Sequence, residues 1–134
     1  MRSLPLNNGS ETRTPGVDDG TIICSQLNMN HCAASANHIN EWLADPSGHN
    51  LQPSTGGGYG KITLIQEPYL KRNKVSNISK DFRIFKGTNK GKIRSIIITT
   101  RNVNGWILNQ FSDADQVAIM IKTKKRTIVL ASVY

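Results

Sequence analysis

What is scarce in these 134 residues narrows the field first. There are two cysteines, Cys24 and Cys32, too few for a disulfide framework. Reduced thiols of that kind fit an intracellular protein. No run reaches the roughly eighteen apolar residues of a membrane span, and Met1 to Gly20 has no apolar signal-peptide core. Neither a membrane segment nor a leader is expected. Acidic side chains are scarce in the second part: residues 61–134 hold fifteen basic and four acidic groups, a balance of +11, whereas residues 1–60 hold two and five, a balance of −3. Such asymmetry favours a polyanionic partner, nucleic acid before membrane, because no amphipathic basic helix or lipidation motif accompanies it. Solubility alone would also use that charge. Aromatic residues, 6% of the chain, interleave poorly with the basic ones, so a single-strand stacking platform is not supported.

The length suits one domain with one core. Residues 1–20 mix Asn, Ser, Thr, Pro, Gly and Asp with little to bury, and a disordered tail is expected there. From Thr21 the chain reads as a buried strand ending at Asn28. Between Cys32 and Ala44, apolar residues at Ala33, Ala36, Ile39 and Leu43 recur at spacings of three and four, which predicts a helix. Asn30 or His31 begins it, Asn30 being the better cap by side-chain chemistry, and Asp45-Pro46 ends it. A glycine-rich connection from Ser47 to Gly60 leads to Lys61-Ile-Thr-Leu-Ile-Gln-Glu-Pro-Tyr69, an apolar, β-branched strand stopped by Pro68. Glu67 is thereby delivered to a strand's C-terminal end, where open α/β sheets gather their ligands. Asn28 ends its own strand in the same way, and the two polar ends are expected to be neighbours.

Beyond Tyr69 runs a basic stretch from Lys71 to Arg101, mostly loop, with a short strand near Phe82 to Phe85. Strands are expected at Arg94–Thr100 and Trp106–Leu108, and Gln116–Lys122 with Thr127–Tyr134 should form a hairpin around Thr123-Lys124-Lys125-Arg126. Ile96-Ile97-Ile98 and Ile128-Val129-Leu130-Ala131 are continuously apolar, which suits strands covered on both faces. One helix covers only one face of such a sheet. The other is expected to be bare, so that either a partner covers it or the chain is truncated after Tyr134.

Several constellations fail on their spacing. Gly60-Lys61 is no P-loop, because Thr55 replaces the first glycine, Ile62 replaces the Ser or Thr, and a strand follows. His31, Cys32, His38 and His49 lack paired zinc-ligand spacing. No nucleophile elbow supports a hydrolase triad. The turn from Lys122 to Arg126 is either a nucleic-acid patch or a solvated hairpin end.

Three segments in one order are more specific: Gln26-Leu27-Asn28-Met29-Asn30-His31-Cys32 before an alanine-containing helix, Leu64-Ile65-Gln66-Glu67-Pro68-Tyr69, and Ala131-Ser132-Val133-Tyr134. Together they resemble the endonuclease domain of non-LTR retrotransposon polyproteins, in the endonuclease/exonuclease/phosphatase superfamily that includes apurinic endonucleases and DNase I. The resemblance covers residues 21–134 and only the N-terminal part of such a domain.

The resemblance implies an α/β fold, part of a four-layer DNase I-like sandwich, here mostly one β-sheet with one covering helix. It implies that Glu67 binds Mg²⁺, or Mn²⁺ in its place, a single carboxylate sufficing because Mg²⁺ keeps waters and binds substrate phosphate. Asn28 would orient Glu67 or the phosphate, Tyr134 would donate its hydroxyl to a phosphate oxygen, and Lys71, Arg72, Lys74 and Arg101 would hold the DNA backbone. The parent would be a polyprotein that carries a reverse transcriptase and acts in the nucleus. In that family an Asp-x-Asn pair and a Ser/Thr-Asp-His segment follow the tyrosine. This sequence has neither, so an incomplete and inactive hydrolase is expected. A non-catalytic basic module that binds nucleic acid or a partner protein is the alternative, and a phosphoinositide or other phosphoester substrate is a third reading.

Overall fold

The computed structural model describes residues 21–45, 60–87 and 91–134. The expected tail at 1–20, and the glycine-rich connection up to the residue before Gly60, lie outside the described residues. The strands are β1 Ile22–Asn28, β2 Gly60–Gln66, β3 Leu70–Lys71, β4 Lys74–Val75, β5 Arg83–Phe85, β6 Ser95–Thr99, β7 Gly105–Ile107, β8 Gln116–Lys122 and β9 Thr127–Val133. The helix α1, Ala33–Ala44, connects β1 to β2, and a short 3-10 turn occupies Asn109–Phe111. No described helix is long and apolar enough to cross a membrane.

The α/β class holds, but the strands divide where mostly one sheet was expected. One sheet runs β1-β2-β6-β5, a second runs β7-β8-β9, and β3 with β4 forms a small ribbon. Strand alternation explains the arrangement. Ile96 and Ile98 point to one side, where α1 lays Ala36, Ile39 and Leu43 against them together with Met29, Ile65 and Ile93. Ile97 points to the other and packs with Ile62, Phe85 and Val103, and with Val117, Ile119 and Ile121 of β8. All three isoleucines of the run are fully buried. Each contributes about 1.5–3 kcal/mol of burial, so β6 is the keel of the core.

The second sheet therefore fills the face expected to be bare. Its own outer face is the exposed one: Trp106, Val129 and Val133 are 43%, 54% and 53% accessible. This corrects the reading of Ile128 to Ala131 as covered on both sides. Ile128 and Leu130 pack inward while Val129 and Ala131 face out, because β9 is the edge of a sheet with no further layer on it among the described residues.

The helix ends also differ from expectation at one side. Asn30 and His31 adopt left-handed φ values of 51° and 55°, so they form the turn after β1, and Cys32 becomes the N-cap without a side-chain cap bond. At the other end Lys61 reaches across from β2. Its buried Nζ donates to Trp42 O at 2.8 Å and to Asp45 O, and lies 5.2 Å from the Trp42 ring centroid. A cation on the last carbonyls is the favourable pairing for a helix C-terminus. The two cysteines are free thiols and both exposed, so they do not act as small core hydrophobes.

Candidate functional site

β1 and β2 are parallel, with Asn28 opposite Gln66, so their C-terminal ends lie side by side. Backbone bonds then stitch the two following loops together. Met29 N–H donates to Gln66 O and His31 N–H to Glu67 O, each at 2.9 Å. The His31 ring adds a third tie, Nδ1 lying 3.1 Å from Pro68 O. A carbonyl only accepts, so Nδ1 carries the proton of this bond. From the other side Glu67 N–H donates to Arg94 O at 2.9 Å.

Held by both neighbours, Glu67 sits at φ 49°. A non-glycine residue in that region costs about 1–2 kcal/mol, and such strain persists only where the surroundings enforce it. Its half-buried carboxylate takes part in no ion pair among the described residues. Asn28 Oδ1 accepts from Asn30 N–H at 2.8 Å, which fixes the amide orientation. Its NH₂ is therefore the group left to meet an anion.

Beneath these loops lies a buried polar network that no local pattern in the chain announces. Gln66 Nε2 donates to Ser132 Oγ at 3.0 Å, Ser95 Oγ lies 2.7 Å from both Ser132 Oγ and Ser132 O, and Ser132 Oγ donates to Ile65 O at 3.2 Å. It bolts β9 to β2 and β6. Tyr134, the next residue but one, is thereby brought to the Glu67 end, where its N–H donates to Asp115 O at 2.8 Å.

Arg94 and Asp115 are the functional candidates that sequence reasoning missed. Arg94 Nε and Nη2 bond Asp115 Oδ1 and Oδ2 at 2.7 and 2.8 Å, and the guanidinium lies 4.5 Å from the centroid of the Tyr134 ring. The hydrogen bonding to Asp115 raises the Arg94 pKa further above its already high value. Their only signal in sequence is that expected strands start at Arg94 and Gln116, which does not reveal a pairing twenty-one residues apart.

The basic residues divide. Lys71 and Lys74 face each other across the β3-β4 ribbon, and Arg72 and Asn73 turn it with φ values of 51° and 59°. That is a tight hairpin inside a stretch expected to be mostly loop. Asn73 pins it: its Oδ1 accepts from Ile93 N–H at 3.3 Å, and its Nδ2 donates to Gly91 O at 3.5 Å. The ribbon follows Glu67 by three residues and stays beside it. Arg101 does not. β6 runs antiparallel to β2, so Arg101 leaves its far end, beside Lys61, and donates through Nη2 to Lys80 O at 2.8 Å. Arg101 therefore shares no surface with Lys71, Arg72 and Lys74.

No three His, Cys, Asp or Glu residues among those described group as a metal cage. The donor set fits a hard cation that needs few protein ligands, with Glu67 as the carboxylate, and does not fit zinc.

This is a sheet-dominated α/β fold of the DNase I-like kind. A solved structure described as the endonuclease domain of TRAS1, a telomere-specific non-LTR retrotransposon, superposes with a TM-score of 0.52 at 22% sequence identity, over 81% of this chain and 42% of that one. The chain thus spans less than half the length of the structure it matches. No protein-family model matches the sequence, and no similar curated protein was found.

Proposed function

We propose that this chain supplies the metal-binding part of a Mg²⁺-dependent DNA endonuclease, a phosphodiester hydrolase of the kind encoded in retrotransposon polyproteins. The observation that carries the reading is Glu67 itself, an unpaired carboxylate held at φ 49° where two parallel strands end together. The likeness to a retrotransposon endonuclease domain supports the same reading. Glu67 would hold Mg²⁺, or Mn²⁺, with waters and phosphate oxygens completing its shell. Bound there, the ion would supply charge stabilisation at the scissile phosphate and the leaving oxygen. The Asn28 NH₂ would donate to a phosphate oxygen, and the Tyr134 hydroxyl, its ring stacked on Arg94, would do the same. Lys71, Arg72 and Lys74 would grip the backbone of the duplex without reading its sequence. In the parent polyprotein these residues would work beside a reverse transcriptase in the nucleus.

Catalysis also needs a group to take the proton from the attacking water. Asp115 is occupied by Arg94, and the Asp-x-Asn and Ser/Thr-Asp-His segments of the resemblance are absent from residues 1–134. The chain alone is therefore expected to bind DNA in a Mg²⁺-dependent way and not to cut it. Anisotropy of a labelled duplex should show affinity that rises with Mg²⁺ for the wild type and not for Glu67→Gln. Affinity indifferent to both Mg²⁺ and Glu67→Gln would replace this reading with a purely basic binding module. Nicking of supercoiled plasmid by the purified chain, abolished in Glu67→Ala, would overturn the expected inactivity.

A further inference from the structure

We propose that the end of the sheets opposite Glu67 is a second nucleic-acid surface that binds phosphate backbone through charge alone. It does not rest on the reading of Glu67. Topology collects it from three separate parts of the chain. β6 delivers Arg101 to that end, the chain entering β5 brings Lys80, and the β8-β9 turn brings Lys122, Lys124, Lys125 and Arg126. Lys122 N–H donates to Asn104 O at 2.9 Å, which fastens the turn beside the segment that follows Arg101.

All six side chains are exposed, and none takes part in an ion pair among the described residues. Asp81 is the acid next to them in sequence, beside Lys80. The backbone of the turn is also held in place. Thr123 N–H donates to Arg126 O at 2.8 Å, and Thr123 Oγ1 accepts from Lys125 N–H and Arg126 N–H at 3.2 and 3.1 Å. Arg101 is tied to Lys80 O. Such preorganisation lowers the ordering cost of binding.

Two other cations at this end have partners inside the protein, and their contrast with the six is informative. Lys61 caps α1, and Arg83 donates to Val103 O and Gly105 O at 3.1 and 2.9 Å while lying over Phe85. Of the outer six, five make no side-chain bond among the described residues, and Arg101 commits only Nη2, to Lys80 O. The turn from Thr123 to Thr127 carries no apolar side chain to enter a membrane or anchor a peptide. Repeated exposed cations on a firm turn fit closely spaced phosphates instead.

The test uses the whole chain in EDTA with Lys71, Arg72 and Lys74 changed to alanine, so that the Glu67 end contributes neither metal nor ribbon. A labelled 20-base-pair duplex is titrated by anisotropy between about 50 and 200 mM salt, conditions over which counterion release reports the number of phosphate contacts. Further change of Lys124, Lys125 and Arg126 to alanine should flatten the log–log salt slope by about two to three, with an unchanged melting curve, because each lost phosphate contact is worth about 0.9. Arg101→Ala should flatten it by about one. The wild type should also bring donor-labelled and acceptor-labelled duplexes together, and the turn variant should not. An unchanged slope in the turn variant overturns the proposal, as does binding to phosphatidylserine vesicles without binding to duplex. Loss of Mg²⁺ dependence at Glu67 leaves this result untouched, so the two readings fail separately.

Discussion

The two ends of the packed sheets use their polar groups in opposite ways. At the Gly60 end, cations meet backbone carbonyls: Lys61 takes Trp42 O and Asp45 O, Arg83 takes Val103 O and Gly105 O, and Arg101 takes Lys80 O. At the Glu67 end, side chains meet side chains, through Gln66, Ser95 and Ser132 below and Arg94 with Asp115 above. Carbonyls left open where a strand or helix ends take these cations in place of water, so the first arrangement is closure. The second holds particular side chains in place and leaves one carboxylate, Glu67, strained and unpaired. Closure and positioning should therefore respond differently to substitution.

The largest effect is expected where positioning is buried. Ser132→Ala strands Gln66 Nε2 between the sheets and removes the donor to Ile65 O, while Ser95 Oγ keeps Ser132 O, and a buried group left without its partner costs about 1–3 kcal/mol. Urea unfolding should lose about 2–3 kcal/mol. A loss under about 0.5 kcal/mol would mean water replaces the hydroxyl and that the network is no bolt. Lys61→Met tests closure and should cost less, about 1–2 kcal/mol, because the freed carbonyls lie at a helix end that solvent can reach. It has a pH signature as well. Burial pushes Lys61 below its ordinary 10.5, so between the folded value and 10.5 the unfolded chain binds more protons and stability rises with pH. The rise should vanish in Lys61→Met when melting is followed through that window. A parallel pH profile for both proteins would contradict the buried cap.

Local pattern made one end of this contrast readable and hid much of the other. Pro68 after an apolar, β-branched run placed Glu67 correctly at a strand end, and the spacing of Ala36, Ile39 and Leu43 found α1. Both signals are carried by adjacent residues. The split into two sheets was not legible, because Ile96 to Ile98 and Ile128 to Leu130 look alike although only the first is central. Arg72-Asn73 turns a hairpin without the usual glycine, so β3 and β4 vanished into a basic loop. Arg101 was grouped with Lys71 by composition, whereas the five residues of β6 separate the two by about 17 Å along the strand. Arg94, Asp115 and Tyr134 meet only through three strands, which no local rule connects.

Strain at Glu67 gives a test of opposite sign. Glu67→Gly removes the left-handed penalty but adds glycine's entropy, for a net gain of about 0.5–1 kcal/mol. Glu67→Ala keeps the penalty and supplies the reference. A higher urea midpoint for the glycine variant than for the alanine variant would show that the fold holds this residue against its preference. Equal midpoints would remove the strain from the account.

The smallest expected change in stability is the one most specific to positioning. Asp115→Asn keeps the backbone carbonyl that receives Tyr134 N–H but loses the charge-assisted fork to Arg94. Arg94 and Asp115 are 42% and 48% exposed, and pairs that open to water add little to stability. The melting curve should therefore barely move. The Tyr134 ring resonances should move, because the guanidinium 4.5 Å from its centroid loses the anchor that holds it there. About 1 M salt should shift the same resonances in the wild type toward the variant's positions, since exposed pairs are screened at that strength. If the resonances stay fixed in both experiments, the ring is held by β9 alone and Arg94 with Asp115 is ordinary surface pairing. If they shift while stability does not, the pair serves the geometry of the Glu67 end and not the integrity of the fold.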